Sequence, residues 1–402
     1  MKETWISYLV NIFDIKDFVW FILGFLVPYV ISAIKKRVRK SGIRRRIKKE
    51  EVNFEDIGII SLAHGDPFYE IGNGKEEILL GPPNDDFFFS MPADIKERIL
   101  QIKPEFDNTK WTKSQDFFQD QEETFLNRVA KSVNISVQQF QEVFERKKRE
   151  VAEVFLKKVE DSEPYFNGEV YGIQRMDVSR EGENERATLK IKSYKSDYYT
   201  HRVMAAIFQE LYVTNPTLAP TKLSEEYNKL KYFLTAIGMD VLIILEDEES
   251  IVFAKRSGNL INMTQDKWHV SMNEAIIITD LTFDQSKISL ENCIIRGVNE
   301  ELGVKLGGEG RYKFSIYYGD AFLLQNPLET GISAFVFIEG LSFGDLKIAY
   351  AAAKDRELET IGLTKVKYNN RELKKFVNKE DLTETCQYMI KMLMARHMKN
   401  VI

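Results

Sequence analysis

The residues best suited to chemistry lie close together in Ser289-Leu-Glu-Asn-Cys-Ile-Ile-Arg-Gly-Val-Asn-Glu-Glu-Leu-Gly-Val304. Read as one helix, this stretch places Arg296 within reach of Glu300, and sets Glu300 and Glu301 near position 297, because residues three and four apart share a face. Adjacent carboxylates on a helix can clasp a divalent cation, which neutralises phosphate oxygens and activates water. Magnesium on Glu300 and Glu301 alone would depend on oxygens from its substrate. The same residues also suit a capped, solvated helix with no ligand.

The elements that must position these groups are legible nearby. Ser289 is a good N-cap, with Asn292 where a capping box prefers Glu. Leu290, Ile294, Val298 and Leu302 form a stripe that should face a core, and Gly303 is a natural stop. Upstream, Asp240-Val-Leu-Ile-Ile-Leu-Glu246 and Ser250-Ile-Val-Phe-Ala-Lys-Arg256 are the strongest strands in the chain, with Trp268 following.

In this run the chain resembles the Nudix box, Gly-x5-Glu-x7-Arg-Glu-U-x-Glu-Glu-x-Gly-U, where U is a bulky aliphatic residue. Arg296, Val298, Glu300, Glu301, Gly303 and Val304 stand at matching positions. The opening glycine falls on Thr282, the first glutamate on Ile288 and the glutamate after the arginine on Gly297. The Pro-Gly-Gly-like loop after the tryptophan has become Ser271-Met-Asn. The resemblance covers Met239 to the C-terminus and extends back toward Gly168. It implies an α/β/α sandwich with Arg256, Trp268, Arg296, Glu300 and Glu301 as nucleotide-binding residues. Glu300 and Glu301 would serve as metal ligands, and as catalytic residues if the domain hydrolyses. No cofactor is required on this reading, and Mg2+ is an optional one.

Other signals are weaker. Gly72-Asn-Gly-Lys75 lacks the upstream glycine and following Ser or Thr of a phosphate loop and reads as a hairpin turn. Asp120 to Glu160 has helical periodicity, suited either to packing on its own domain or to self-association. Tyr198-Tyr-Thr-His-Arg202 suits stacking and phosphate contact, or core packing. His64, His201, His269 and His397 have no partner at metal-ligand spacing, and two cysteines, Cys293 and Cys386, cannot form a disulfide framework.

Phe18 to Ile34 carries no charge and would span about 26 Å as a helix. It is followed by ten Lys or Arg between Lys35 and Lys49 with no acid. This order predicts a transmembrane helix with the N-terminus out and the rest in the cytosol. The expected fold class is α+β: a single N-terminal transmembrane helix, then a cytosolic region ending in a Nudix-like α/β/α sandwich. The expected divisions are an interfacial N-terminus over 1–17, the span over 18–34, a basic segment over 35–50, a strand-rich then helical region over 51–165, and a Nudix-like sensor over 166–402. Of 56 basic and 61 acidic residues, 12 and 3 precede Glu50, which leaves 44 and 58 and a net of −14. So acidic a body argues against direct DNA or RNA binding.

A membrane helix joined to an incomplete Nudix box resembles the transmembrane-Nudix effectors of CBASS anti-phage systems. That resemblance implies a bacterial inner-membrane protein whose Nudix-like domain binds a cyclic dinucleotide or oligonucleotide made by a partner nucleotidyltransferase. It then self-associates and disrupts the lipid bilayer. The competing readings are a membrane-anchored hydrolase of nucleoside diphosphate derivatives and a ligand-free scaffold.

Overall fold

The computed structural model describes residues 59–61, 78–81, 87–106, 125–163, 167–181, 186–214, 230–257, 266–282, 288–308, 310–325, 328–353 and 360–398. Two short strands, β1 (Ile59–Ser61) and β2 (Ile78–Gly81), precede helices α1 (Ala93–Ile102), α2 (Phe125–Ser132) and α3 (Val137–Glu160). The antiparallel pair β3 (Glu169–Glu181) and β4 (Arg186–Asp197) leads into α4 (Tyr198–Thr214). Next come β5 (Ile237–Leu245), β6 (Ser250–Arg256), β7 (Trp268–His269), β8 (Met272–Ala275) and α5 (Leu290–Leu302). The chain continues through β9 (Lys313–Gln325), β10 (Leu328–Glu339), α6 (Phe343–Ala351), β11 (Thr360–Lys367), α7 (Asn370–Lys379) and α8 (Glu384–Met398).

The helical periodicity of 120–160 resolves into two helices. Asn134 takes φ +56, a left-handed conformation that asparagine tolerates better than most residues. Ser136 then restarts the chain with a full capping box: its hydroxyl accepts from the Gln139 backbone, and the Gln139 side chain accepts from the Ser136 N–H. The charged run Glu145–Glu150 is the solvent face of α3, tied to neighbours by Arg149–Asp94 and Arg146–Glu210. Phe140, Phe144, Phe155 and Val159 form the buried face.

A mixed sheet runs β1-β9-β10-β5-β6-β11, with β7 on β6 and β8 on β5. Its central pair, β10 and β5, is parallel over Thr330–Ile338 and Ile237–Leu245. Strand β5 is buried along almost its whole length, as expected of a strand covered on both faces. Met239, Val241, Ile243 and Leu245 join the core beneath α5 with Ile294, Val298 and Leu302. On the opposite face α8 is held through Tyr388 to Asp320, 2.5 Å, and through Met392 beside Ser333, and Leu242, Ile244, Phe253, Phe322 and Phe335 are buried. The arrangement is a helix–sheet–helix sandwich. A second sheet, β2-β4-β3, packs with α1 to α4, and one continuous core cluster runs from Phe87 to Tyr350. Residues 54–402 form one compact unit.

The expected transmembrane architecture requires correction. Among the described residues no helix is long and apolar enough to cross a membrane. The 24-residue α3 has the length, but its solvent face carries charge on every turn. The single-pass, inner-membrane assignment therefore finds no support in the fold. Phe18 to Ile34 and the basic segment after it lie outside the described residues, as does Gly72–Lys75.

Gly303 ends α5 at φ +70, and a Cβ there would lie 2.2 Å from the Ala349 carbonyl oxygen of α6. Left-handed strain and a backbone clash add, so Gly303→Ala is expected to destabilise the protein by about 2 kcal/mol or more in denaturant titrations. An unchanged midpoint would show that α5 and α6 can separate freely.

Candidate functional site

The site begins where the sheet divides. Strand β5 pairs with β6 only at Ile244↔Ile251 and Leu245↔Ser250, and with β8 over Gly238–Val241. Strand β6 meanwhile turns to β7, pairing Ala254 with His269. Ser271 occupies the crotch. Its hydroxyl accepts from the Ile243 N–H at 2.8 Å and donates to the Val252 carbonyl at 2.6 Å, satisfying ladder groups that the split would leave bare. Helix α5 lies across β8 beside this opening.

Arg296 locks that helix down. Its Nε and Nη2 donate to the two oxygens of Asp280, each at 2.9 Å, and Nη2 also donates to the Ala275 carbonyl at 2.7 Å. Nη1 meets Glu274 and Glu300, each at 3.1 Å. Asp280 is 1% exposed and also accepts from the Ile277 N–H. One guanidinium thus joins β8, the turn after it and two turns of α5. The reach from Arg296 to Glu300 follows from sequence spacing; the stronger bond to Asp280 does not, since its partner is 16 residues away.

The same contacts bear on metal binding. Glu300 is engaged by Arg296, whereas Glu301 is 3% exposed and turned inward, accepting from the Asn273 N–H at 3.1 Å. At position 297 the helix sits flush on β8: a Cβ would lie 2.5 Å from Met272 Sδ and 3.0 Å from Glu274 Cβ. Ile288, at the place of the first box glutamate, is buried and bridged to Leu281. Among the described residues no three His, Cys, Asp or Glu side chains gather as a metal would need. The residues present do not fit a catalytic divalent cation.

A recess opens instead inside the split sheet, lined by Arg256, His269, Asn273, Glu301 and Thr360. Its free space is about 10 Å³, room for one water-sized group. His269 is buried, with Nδ1 2.6 Å from the Thr383 hydroxyl, while its Nε2 has no hydrogen-bond partner among the described residues. Burial, aided by Arg256, holds this imidazole neutral. Arg256 Nε is likewise buried and has no hydrogen-bond partner among the described residues. Behind them Asp240 accepts from Asn273 Nδ2 at 2.8 Å and lies 3.8 Å from His269 Nε2, too far for a hydrogen bond.

The structure brings Arg256 and Glu301 together here, and Arg296 and Glu300 on the flank of the same helix. Trp268 is set apart. Its Nε1 donates to Glu380, Lys255 lies 6.0 Å from the ring centroid, and Phe376 packs at 6.2 Å. Tyr199 and His201 serve the core: Tyr199 donates to the Lys148 carbonyl, and His201, pushed down to about 3 by burial and Arg202, meets Thr235. Sequence reasoning missed Asp240, His269 and Asp280. An acid inside the strongest apolar strand was the available signal for Asp240.

No family model matches the chain, and no curated protein is similar to it. Solved structures are. One is a MutT/nudix family protein from Enterococcus faecalis, with TM-score 0.29 and 12% identity over 41% of this chain and 62% of the other. Another is a bifunctional NMN adenylyltransferase/ADP ribose pyrophosphatase from Francisella tularensis, solved with AMP and a manganese ion. Its TM-score is 0.23, with 15% identity over 46% of this chain and 48% of that one. The chain thus spans about three-fifths and one-half of these proteins.

Replacing Arg296 with Met should leave Asp280 charged, buried and unpaired, at a cost of about 3–5 kcal/mol in unfolding free energy. Adding Asp280→Asn should recover part of that loss, and equal stability of the single and double variants would refute the pairing. Burial pushes the Asp240 carboxyl up to about 7, with Asn273 and Arg256 opposing and Glu329 adding. A carboxyl raised above its unfolded value stabilises fully in acid and loses that contribution as pH rises through about 7, here about 4 kcal/mol. Asp240→Asn should therefore flatten the stability profile between about pH 4 and pH 8. Parallel profiles would show that Asp240 titrates normally.

Proposed function

We propose that the Nudix-like region binds a nucleotide without hydrolysing it, as the sensor of a CBASS-type antiviral response whose ligand is a cyclic nucleotide second messenger. The observation that carries this reading is the packing at Gly297. A third carboxylate is not merely missing from the helix; its place is filled by Met272 and Glu274. With Glu300 paired to Arg296 and Glu301 turned inward, the usual cation clasp is dismantled on each of its positions. What remains is a folded helix, a split sheet and polar groups at the split, which suits recognition more than turnover. Magnesium plays no required part. Membrane disruption is not part of the proposal, since no described helix can span a bilayer.

The body of a nucleotide cannot enter a recess of about 10 Å³. It would lie across the mouth, where partly exposed Arg256 can meet phosphate oxygens as a planar donor. Ligand-driven self-association follows only if the ligand favours the associated form by differential affinity.

Calorimetric titration of the full chain with cyclic dinucleotides and cyclic oligonucleotides, with mononucleotides and ADP-ribose as controls, tests the proposal. The expected result is binding of a cyclic species with no phosphate-ester cleavage, with or without magnesium. Magnesium-dependent cleavage of a nucleoside diphosphate derivative, abolished by Glu301→Gln, would establish the hydrolase instead.

A further inference from the structure

We propose that the recess between Arg256, His269, Asn273 and Glu301 is a hydroxyl-recognising subsite that takes a ribose hydroxyl, so that the protein distinguishes ribonucleotides from deoxyribonucleotides. This inference rests on the nucleotide-binding reading above and names what that site selects.

Size is the first argument. Free space of about 10 Å³ admits one heavy atom with its hydrogens. A phosphoryl group or a base is too large. Charge is the second. Arg256 supplies one cation and Glu301, 3% exposed, one carboxylate, with Asp240 immediately behind. A phosphate oxygen would face the carboxylates at close range, and an ammonium group would face the guanidinium. A neutral group avoids both penalties, which are large in a desolvated site.

Hydrogen-bonding capacity is the third argument, and it selects among neutral groups. Arg256 Nε can only donate, and it is buried with no partner among the described residues. His269 Nε2 is buried and, among the described residues, without a partner as well, in a side chain that is 9% exposed. Because the Thr383 hydroxyl can either donate to Nδ1 or accept from it, Nε2 is a donor or an acceptor according to tautomer. A hydroxyl has two acceptor lone pairs and a freely rotating donor, and so can satisfy Arg256 and His269 together in either tautomer. A methylene in the same place would leave both polar atoms bare, and that asymmetry is what makes a buried polar site discriminating.

The experiment compares matched probes by calorimetry on the full chain: cyclic diadenylate, cyclic diguanylate, AMP and ADP-ribose, each beside its 2′-deoxy and 3′-deoxy counterpart where one exists. Loss of one particular hydroxyl should weaken binding about tenfold or more. Arg256→Lys keeps the charge but removes the Nε donor, and His269→Phe removes Nε2 while conserving a planar ring. Both should bring the ratio of ribo to deoxy affinity close to one, and because Arg256 also meets phosphate, that ratio and not the affinity itself is what Arg256→Lys reads. Thermal denaturation of each variant checks folding, and Arg256→Lys, at a partly exposed position, keeps the test open should His269→Phe fail to fold. Equal affinity for ribo and deoxy probes overturns the subsite while leaving nucleotide sensing intact. If no nucleotide binds, the sensing proposal itself fails and the subsite with it.

Discussion

The partly buried guanidinium of Arg296 makes the interaction on which the candidate site depends. Four groups converge on it from β8, from the turn ending at Asp280 and from α5 itself. Burying a charge is costly, and the geometry that offsets the cost is a two-pronged bond to a carboxylate that is itself almost wholly covered. Such a clamp tolerates little sliding. It holds α5 at one height on β8, and that height decides both which side chain meets Gly297 and which way Glu301 turns.

From this follows a physical account of why the carboxylates of this helix are not free to converge on a cation. Divalent cations need several oxygens free to converge. Here the carboxylates are committed elsewhere, Glu300 to an arginine and Glu301 to a backbone N–H beside Asn273. Close approach of helix to strand at Gly297 shuts the remaining position. The same closeness helps to shape the recess, because Glu301 can line it only while the C-terminal turns of α5 press against the divided sheet.

The division of the sheet is a second constraint. Two strands that part leave ladder groups unpaired, and Ser271 answers by accepting from one strand and donating to the other. With the gap bridged at its narrow end, the wide end stays open, and His269, Asn273 and Arg256 reach into it. Asp240 marks the other side of the same opening, its charge disfavoured by the apolar surroundings of a doubly covered strand. The polar residues Asp240, His269 and Ser271 in this part of the core are thus explained by where the sheet splits.

Much was determined by the sequence alone, wherever the physics is local. Ser289 capping, the apolar stripe of α5, its stop at Gly303, the Arg296–Glu300 reach and the strands β5 and β6 all follow from contacts within a few residues, and the structure shows each of them. The break at Asn134 was local too, since the Ser136 and Gln139 capping pair that follows it lies within a few residues. Tertiary structure alone decided that Asp280 is the principal partner of Arg296, that adjacent Glu300 and Glu301 point to different surroundings, and that His269 ends beside Glu301 in a shared recess. These outcomes depend on how close α5 approaches β8 and where β6 leaves β5. Spacing along a chain specifies which face a residue occupies, but the depth of packing between faces is a property of the assembled core.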